Sequence, residues 1–162
     1  MIRITVIIAT ALSLAFTSVA AQDLQKGYAA YQAGDYATAI QEWTTLADQG
    51  NAPAQFMLGI MYKNGLGVLQ DDAEAVRLYR LAADQGYAPA QTSLGYMYEN
   101  GLGVLKDNVT AHMWYNIGAA NGGDPGGELR DSIAEGMTQQ AIEQAQAMAR
   151  ECMSSNYKNC GY

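Results

Sequence analysis

Charge is scarce in this sequence, and positive charge is scarcer. Of 162 residues, 15% are charged, with nine basic against sixteen acidic and a formal net charge of −7. An acidic chain repels a phosphate backbone, and no basic cluster offers a local exception, so nucleic-acid binding is disfavoured. No basic amphipathic helix points to a membrane surface either. There is one histidine, His112, and there are two cysteines, Cys152 and Cys160, both within the last eleven residues. A structural zinc site takes four ligands, and His112 is far from the cysteines in sequence, so no metal site and no cofactor are expected.

Long apolar runs are lacking as well, with one exception. Ile4 to Phe16 is apolar apart from Thr5, Thr10 and Ser13, follows the single positive charge of Arg3, and leads into the small residues that end at Ala21. The run is shorter than the roughly 20 residues needed to span a bilayer. Residues 1–21 therefore read as a secretory signal peptide, cleaved after Ala20 or Ala21. No cysteine stands at that junction, which argues against a lipid-modified N-terminus. Without Arg3 the rest of the chain has eight basic and sixteen acidic residues, a charge of −8. Export leads to a periplasmic or secreted location. In an oxidising compartment an even cysteine pair reads as one disulfide, Cys152–Cys160.

What is present is a stretch that occurs twice. Ala47–Ala82 and Ala83–Gly118 align without a gap, identical at 21 of 36 positions. Identity at such a period marks a helical repeat array. Each copy parses as two helices. The first begins near Pro53 or Pro89, where proline is tolerated because a first-turn N–H lacks a partner anyway. It carries Ala54, Leu58, Gly59 and Tyr62, or Ala90, Leu94, Gly95 and Tyr98, on one face. Gly59 and Gly95 weaken a helix by about 1 kcal/mol relative to Ala, which makes sense if a neighbouring helix approaches closely. Asn64-Gly65 and Asn100-Gly101 end these helices, Gly67 and Gly103 permit a further reversal, and Val68 and Val104 plug the turn. The second helix starts at Asp71 or Asp107, with Asp71 and Glu74 forming a capping-box pattern. Its inner face is Ala75, Leu78, Tyr79 and Ala82, echoed by Ala111, Trp114, Tyr115 and Gly118. A hairpin with so much apolar surface is stable only when neighbours stack on it.

Residues 22–46 fit a truncated first repeat, because Trp43 falls 36 residues before Tyr79 and Tyr79 falls 36 before Tyr115. Residues 119–162 fit a helical cap. Asp124 and Pro125 look like an N-cap and first helical position, Leu129 and Ile133 point inward, and Thr138 caps a longer helix through Ala145, Ala149 and Cys152. The whole reads as all-α.

The recurring set Ala54-Gln55, Leu58-Gly59, Tyr62, Gly65-x-Gly67-Val68, Asp71, Ala75, Tyr79 and Ala82 returns as Ala90-Gln91, Leu94-Gly95, Tyr98, Gly101-x-Gly103-Val104, Asp107, Ala111 and Trp114-Tyr115. This pattern resembles the Sel1-like repeat, a relative of the tetratricopeptide repeat with a longer inter-helix loop. Met137 to Arg150 resembles a C-terminal extension of bacterial members. The resemblance implies a right-handed α-solenoid of stacked hairpins that binds proteins, as adaptor, assembly factor or secreted effector. One branch, the cysteine-rich Sel1 proteins of Helicobacter, is associated with penicillin binding and weak β-lactamase activity. That gives the alternative of a β-lactam or cell-wall-peptide binder, although its cysteine pair within each repeat is missing here.

Catalytic constellations are hard to find. The two GLG turns join helices, whereas a phosphate-binding loop follows a strand. Ser155-Asn156-Tyr157-Lys158 matches the Ser-x-x-Lys nucleophile motif, but the accompanying Ser-Asp-Asn and Lys-Thr-Gly elements are absent. His112 occupies the position of Val76 and Ile40 and reads as a packing or surface residue, with no nucleophile recognisable nearby. No catalytic residue is assigned. Most tyrosines and tryptophans recur at the repeat period on inward faces. The copies disagree instead on one stripe of the first helix: Phe56, Ile60 and Lys63 against Thr92, Tyr96 and Glu99. Solenoids bind partners on such a face, so these six form the candidate concave site for a protein or peptide.

Overall fold

The computed structural model describes residues 23–122 and 125–161. The expected signal peptide and Asp124 lie outside the described residues. Among these, all regular structure is helical: α1 (residues 23–32), α2 (Tyr36–Asp48), α3 (Ala52–Asn64), α4 (Asp72–Ala83), α5 (Ala88–Asn100), α6 (Asn108–Ala120), α7 (Gly126–Ala134) and α8 (Gln139–Ser154). From α2 to α6 each helix packs on its sequence neighbours, and α7 and α8 both cover α6. The chain is an α-solenoid of stacked hairpins closed by a helical cap.

Local chemistry sets the helix ends. Asn51 accepts the Ala54 N–H at 3.0 Å to start α3, and Pro53 sits in its first turn. At the other end Gly65 has φ +65°, a left-handed residue whose N–H reaches the last-turn carbonyls; Gly101 repeats this with φ +68°. Such a C-cap favours glycine because a Cβ is disfavoured there. Asp35, Asp71 and Asp107 cap α2, α4 and α6 through first-turn N–H groups. The capping box forms only by half: Glu74 turns to Arg77, which donates to its carboxylate at 2.7 and 2.8 Å. Pro125 is the N-cap of α7, one position earlier than its expected place inside the helix, and Thr138 caps α8 as anticipated.

Packing explains the two helical glycines. A Cβ on Gly59 would lie 2.5 Å from the Tyr79 ring, and one on Gly95 would lie 2.5 Å from the Tyr115 ring. Trp43 lies on Gly27 in the same way. Trp43, Tyr79 and Tyr115 are at most 1% exposed. Burying a large side chain contributes roughly 1.5–3 kcal/mol, more than the ~1 kcal/mol that glycine costs its helix. Each hairpin therefore contributes one rung to an aromatic ladder. The turns add a second stacking contact: Gly67 abuts Tyr36, and Gly103 abuts the Asp72–Ala73 backbone at the start of the previous repeat's second helix. Val68 and Val104 are half-buried in these turns, as expected, whereas Leu69 and Leu105 stand exposed.

Among the described residues two buried clusters result. One runs from α4 to α8 around Tyr79, Leu94, Trp114 and Tyr115; the other joins α2, α3 and α4 around Trp43, Leu46 and Met61. Phe56, Ile60 and Tyr62 touch both. A polar ladder runs beside them. Buried Gln55 donates to the Ala47 carbonyl and accepts from Gln85; buried Gln91 donates to the Ala83 carbonyl and accepts from Asn121.

Candidate functional site

Helix α3 presents Phe56, Ile60 and Lys63 at spacings of four and three, so they share one side of the helix. Helix α5 presents Tyr96 one repeat later. The structure brings these four together around a cavity of about 210 Å³, which Tyr79 and Ser93 also line. Phe56 is held by two rings, Tyr79 at 5.7 Å and Tyr87 at 5.4 Å between centroids. Ile60 is half-buried beside it. The Lys63 ammonium lies 4.8 Å from the centroid of Tyr96, a cation–π arrangement. Tyr96 is 41% exposed, so its ring offers surface to a visitor. The cleft straddles the joint between the two copies, and residues of both build its walls.

Thr92 and Glu99 do not line this cavity. Thr92 is the counterpart of Phe56, but its Oγ1 is buried, without a partner among the described residues, close to Gly118 and to Gly126 at the start of α7. The cap covers this position in the last repeat. Glu99 accepts the Tyr115 hydroxyl at 2.6 Å. Burial raises the Tyr115 pKa, and the bond to Glu99 raises it further. Tyr79 is raised by burial as well, so both phenols are neutral at physiological pH. Tyr79 and Ser93 were missed by the sequence reading. Tyr79 recurs at the repeat period and so reads only as core, although one edge of it floors the cleft. Ser93 replaces Met57 of the first copy, a difference between the copies that gave a usable signal.

The residues weighed for catalysis sit elsewhere. Ser155 Oγ donates to the Cys152 carbonyl at 2.8 Å and accepts from the N–H groups of Lys158 and Asn159 at 3.1 and 2.9 Å. The Ser-x-x-Lys resemblance is a turn closed by its own hydroxyl. His112 is 2% exposed, with Nδ1 buried and without a hydrogen-bond partner among the described residues. Among the described residues no group of three or more His, Cys, Asp or Glu could hold a metal ion, and no helix is long and apolar enough to cross a membrane.

The Sel1 repeat matches residues 52–87 and 88–123. The chain carries two Sel1 repeats. Each begins with α3 or α5, five residues after the frame at Ala47 and Ala83, with the same 36-residue step. A protective antigen present in uropathogenic Escherichia coli strains, which displays an SLR fold, superposes with a TM-score of 0.80 at 27% identity. The match covers 85% of this chain and 31% of that one. A Sel1 repeat protein from Oxalobacter formigenes is 40% identical with a TM-score of 0.52, covering 52% of this chain and 65% of that one. The chain thus spans less than two thirds of either structure. No curated protein matches it. Within the Sel1 repeats the aromatic ladder, the aspartate and glycine caps and the turns fall on positions the two copies share, while Phe56, Ile60, Lys63, Ser93 and Tyr96 of the cleft fall where they differ.

Proposed function

We propose that the protein is an exported, non-catalytic interaction scaffold. Its partner is a protein or peptide segment that seats a side chain in the cleft lined by Phe56, Ile60, Lys63 and Tyr96. The observation that carries this reading is the size and setting of the cavity. Small-molecule sites commonly enclose about 300–1,000 Å³, whereas about 210 Å³ here suits one large side chain of a longer partner. Apolar walls with an ammonium and an aromatic ring at the rim are the ingredients of an interface anchor point. Sel1 repeats generally mediate protein–protein interaction, which supports the same reading. Export is supported by the N-terminal apolar run and by the Cys152–Cys160 disulfide, which suits an oxidising compartment.

The test places a photo-crosslinking side chain at position 96 or 63 in cells and compares it with one at Arg77, on a different face of the repeat. A partner captured from the cleft and lost on Tyr96→Ser or Lys63→Glu is the expected outcome. Equal capture from Arg77, or capture unaffected by either substitution, removes the site assignment. Ile60→Asp is a poorer probe, because Ile60 also joins the two buried clusters. Nothing in the geometry of Ser155 favours β-lactam acylation, since its hydroxyl is committed to three backbone groups.

A further inference from the structure

The chain end does more than terminate the cap. After α8 it turns sharply, and Asn156 and Tyr157 have φ of +55° and +63°. Residues with a Cβ seldom adopt that conformation, and two in succession need something to hold them. Here the Cys152–Cys160 disulfide closes the segment. The Tyr157 N–H reaches the Cys152 carbonyl at 2.9 Å, and Ser155 Oγ collects the two N–H groups that follow.

The consequence is where Tyr157 ends up. Its phenol oxygen accepts from Asn121 Nδ2 at 2.8 Å, and the same amide donates to Gln91. The ring also packs over Gly86, so closely that a Cβ there would lie 3.1 Å from it. Gly86 follows α4 and Asn121 follows α6, so one ring touches the ends of the second helices of both repeats. Among the described residues nothing lies at that distance from Gly50 or Gly122, the counterparts of Gly86. The contact is specific to the joint that the cleft straddles.

We propose that the disulfide-closed tail is a thiol-sensitive clamp on the joint between the two Sel1 repeats. A dithiol attacks one sulfur, forms a mixed disulfide and then closes on itself. Cys152 and Cys160 leave as thiols, and the dithiol becomes a cyclic disulfide, with two electrons and two protons transferred. Both cysteines are buried, so exchange passes through local opening of the tail. Once reduced, Asn156 and Tyr157 relax from the left-handed region, the phenol leaves Asn121 and Gly86, and the joint gains freedom. This inference does not depend on what the cleft binds.

Residue-resolved amide exchange by NMR tests it, on the oxidised protein and after equilibration with dithiothreitol. The N–H groups of Gly86, Tyr87, Asn121 and Gly122 should exchange faster on reduction by about five- to tenfold, the size expected for losing one hydrogen-bonded contact. Gly50 and Asn51, at the joint without a clamp, should not change. Tyr157→Ala with the disulfide intact should reproduce the effect at Gly86 and Asn121, which keeps the test open even if the reduced protein unfolds. Acceleration confined to the tail after position 154 would overturn the clamp. So would an equal rise at Gly50, which would mean general loosening, or a Tyr157→Ala variant that exchanges like the parent.

Discussion

At the scale of single residues, His112 shows what the repeat tolerates. Its counterparts are Val76 and Ile40, both apolar. In the second full repeat an imidazole occupies the site, 2% exposed, with Nδ1 lacking a hydrogen-bond partner among the described residues. Burial lowers its pKa below the ordinary 6.5; Arg130 lowers it further, while Asp131 opposes this. The folded protein therefore resists protonation that the unfolded chain accepts. Above the unfolded pKa the site's contribution to stability is intact, and it is lost as pH falls from about 6.5 towards the lower folded value. The urea midpoint should thus fall between pH 7.5 and pH 5. His112→Val should remove most of that fall. Its stability at pH 7.5 should stay within about 1 kcal/mol of the parent, because relief of an unsatisfied nitrogen offsets lost volume. Asp35, whose pKa is lowered by its bonds to Thr38, titrates below this window. A parent midpoint that stays flat from pH 7.5 to 5 would contradict this account.

At the scale of helices, most of the architecture was legible because two copies of one pattern constrain each other. Pro53, Gly65 and Asp71 have partners 36 residues on, so each boundary was read twice. Gly59 and Gly95 carried a packing statement, and the rings of Tyr79 and Tyr115 fill the space it implied. Other features left no trace at the level of pattern. Gln55 and Gln91 recur like core residues, but periodicity says nothing about which carbonyl an amide meets. The structure makes each a bridge between the end of one second helix and the end of the next. Gln91→Leu keeps the volume and loses both bonds, leaving the Ala83 carbonyl buried without Gln91. It should destabilise the protein by roughly 1–3 kcal/mol, measured by urea denaturation. Asn121→Ala should cost less in that background than it does alone, since both remove the Gln91–Asn121 bond and only the Tyr157 bond of Asn121 remains to be lost. Full additivity of the two changes would mean the amides do not act as one ladder. The cleft was half legible for a related reason. Disagreement between copies picked out Phe56, Ile60, Lys63 and Tyr96, but a stripe drawn on both helices assumes both stay open. Thr92 is covered by the cap, and Glu99 is taken by Tyr115.

At the scale of the whole molecule, a solenoid's stability is a sum of hairpin and interface terms, so its two ends need not be equal. Helix α6 is covered by α5 on one side and by α7 and α8 on the other, and eight of its thirteen residues are buried. Helix α2 buries three, Ala39, Trp43 and Leu46. The smaller cluster that contains them joins the larger one through Phe56, Ile60 and Tyr62. Opening should therefore begin at α1 and α2, with α6 last. In native-state hydrogen exchange at rising denaturant, amides of α2 around Trp43 should report an opening free energy lower than those of Met113–Ile117, by roughly 2–4 kcal/mol. Phe56→Ala should widen that gap, because it weakens the contact between clusters more than either cluster. A single value across α2 and α6 would show instead that the chain opens as one unit. In that case Phe56 and Ile60 would no longer mark a mechanical boundary, and a partner seated between them would have no joint to stiffen.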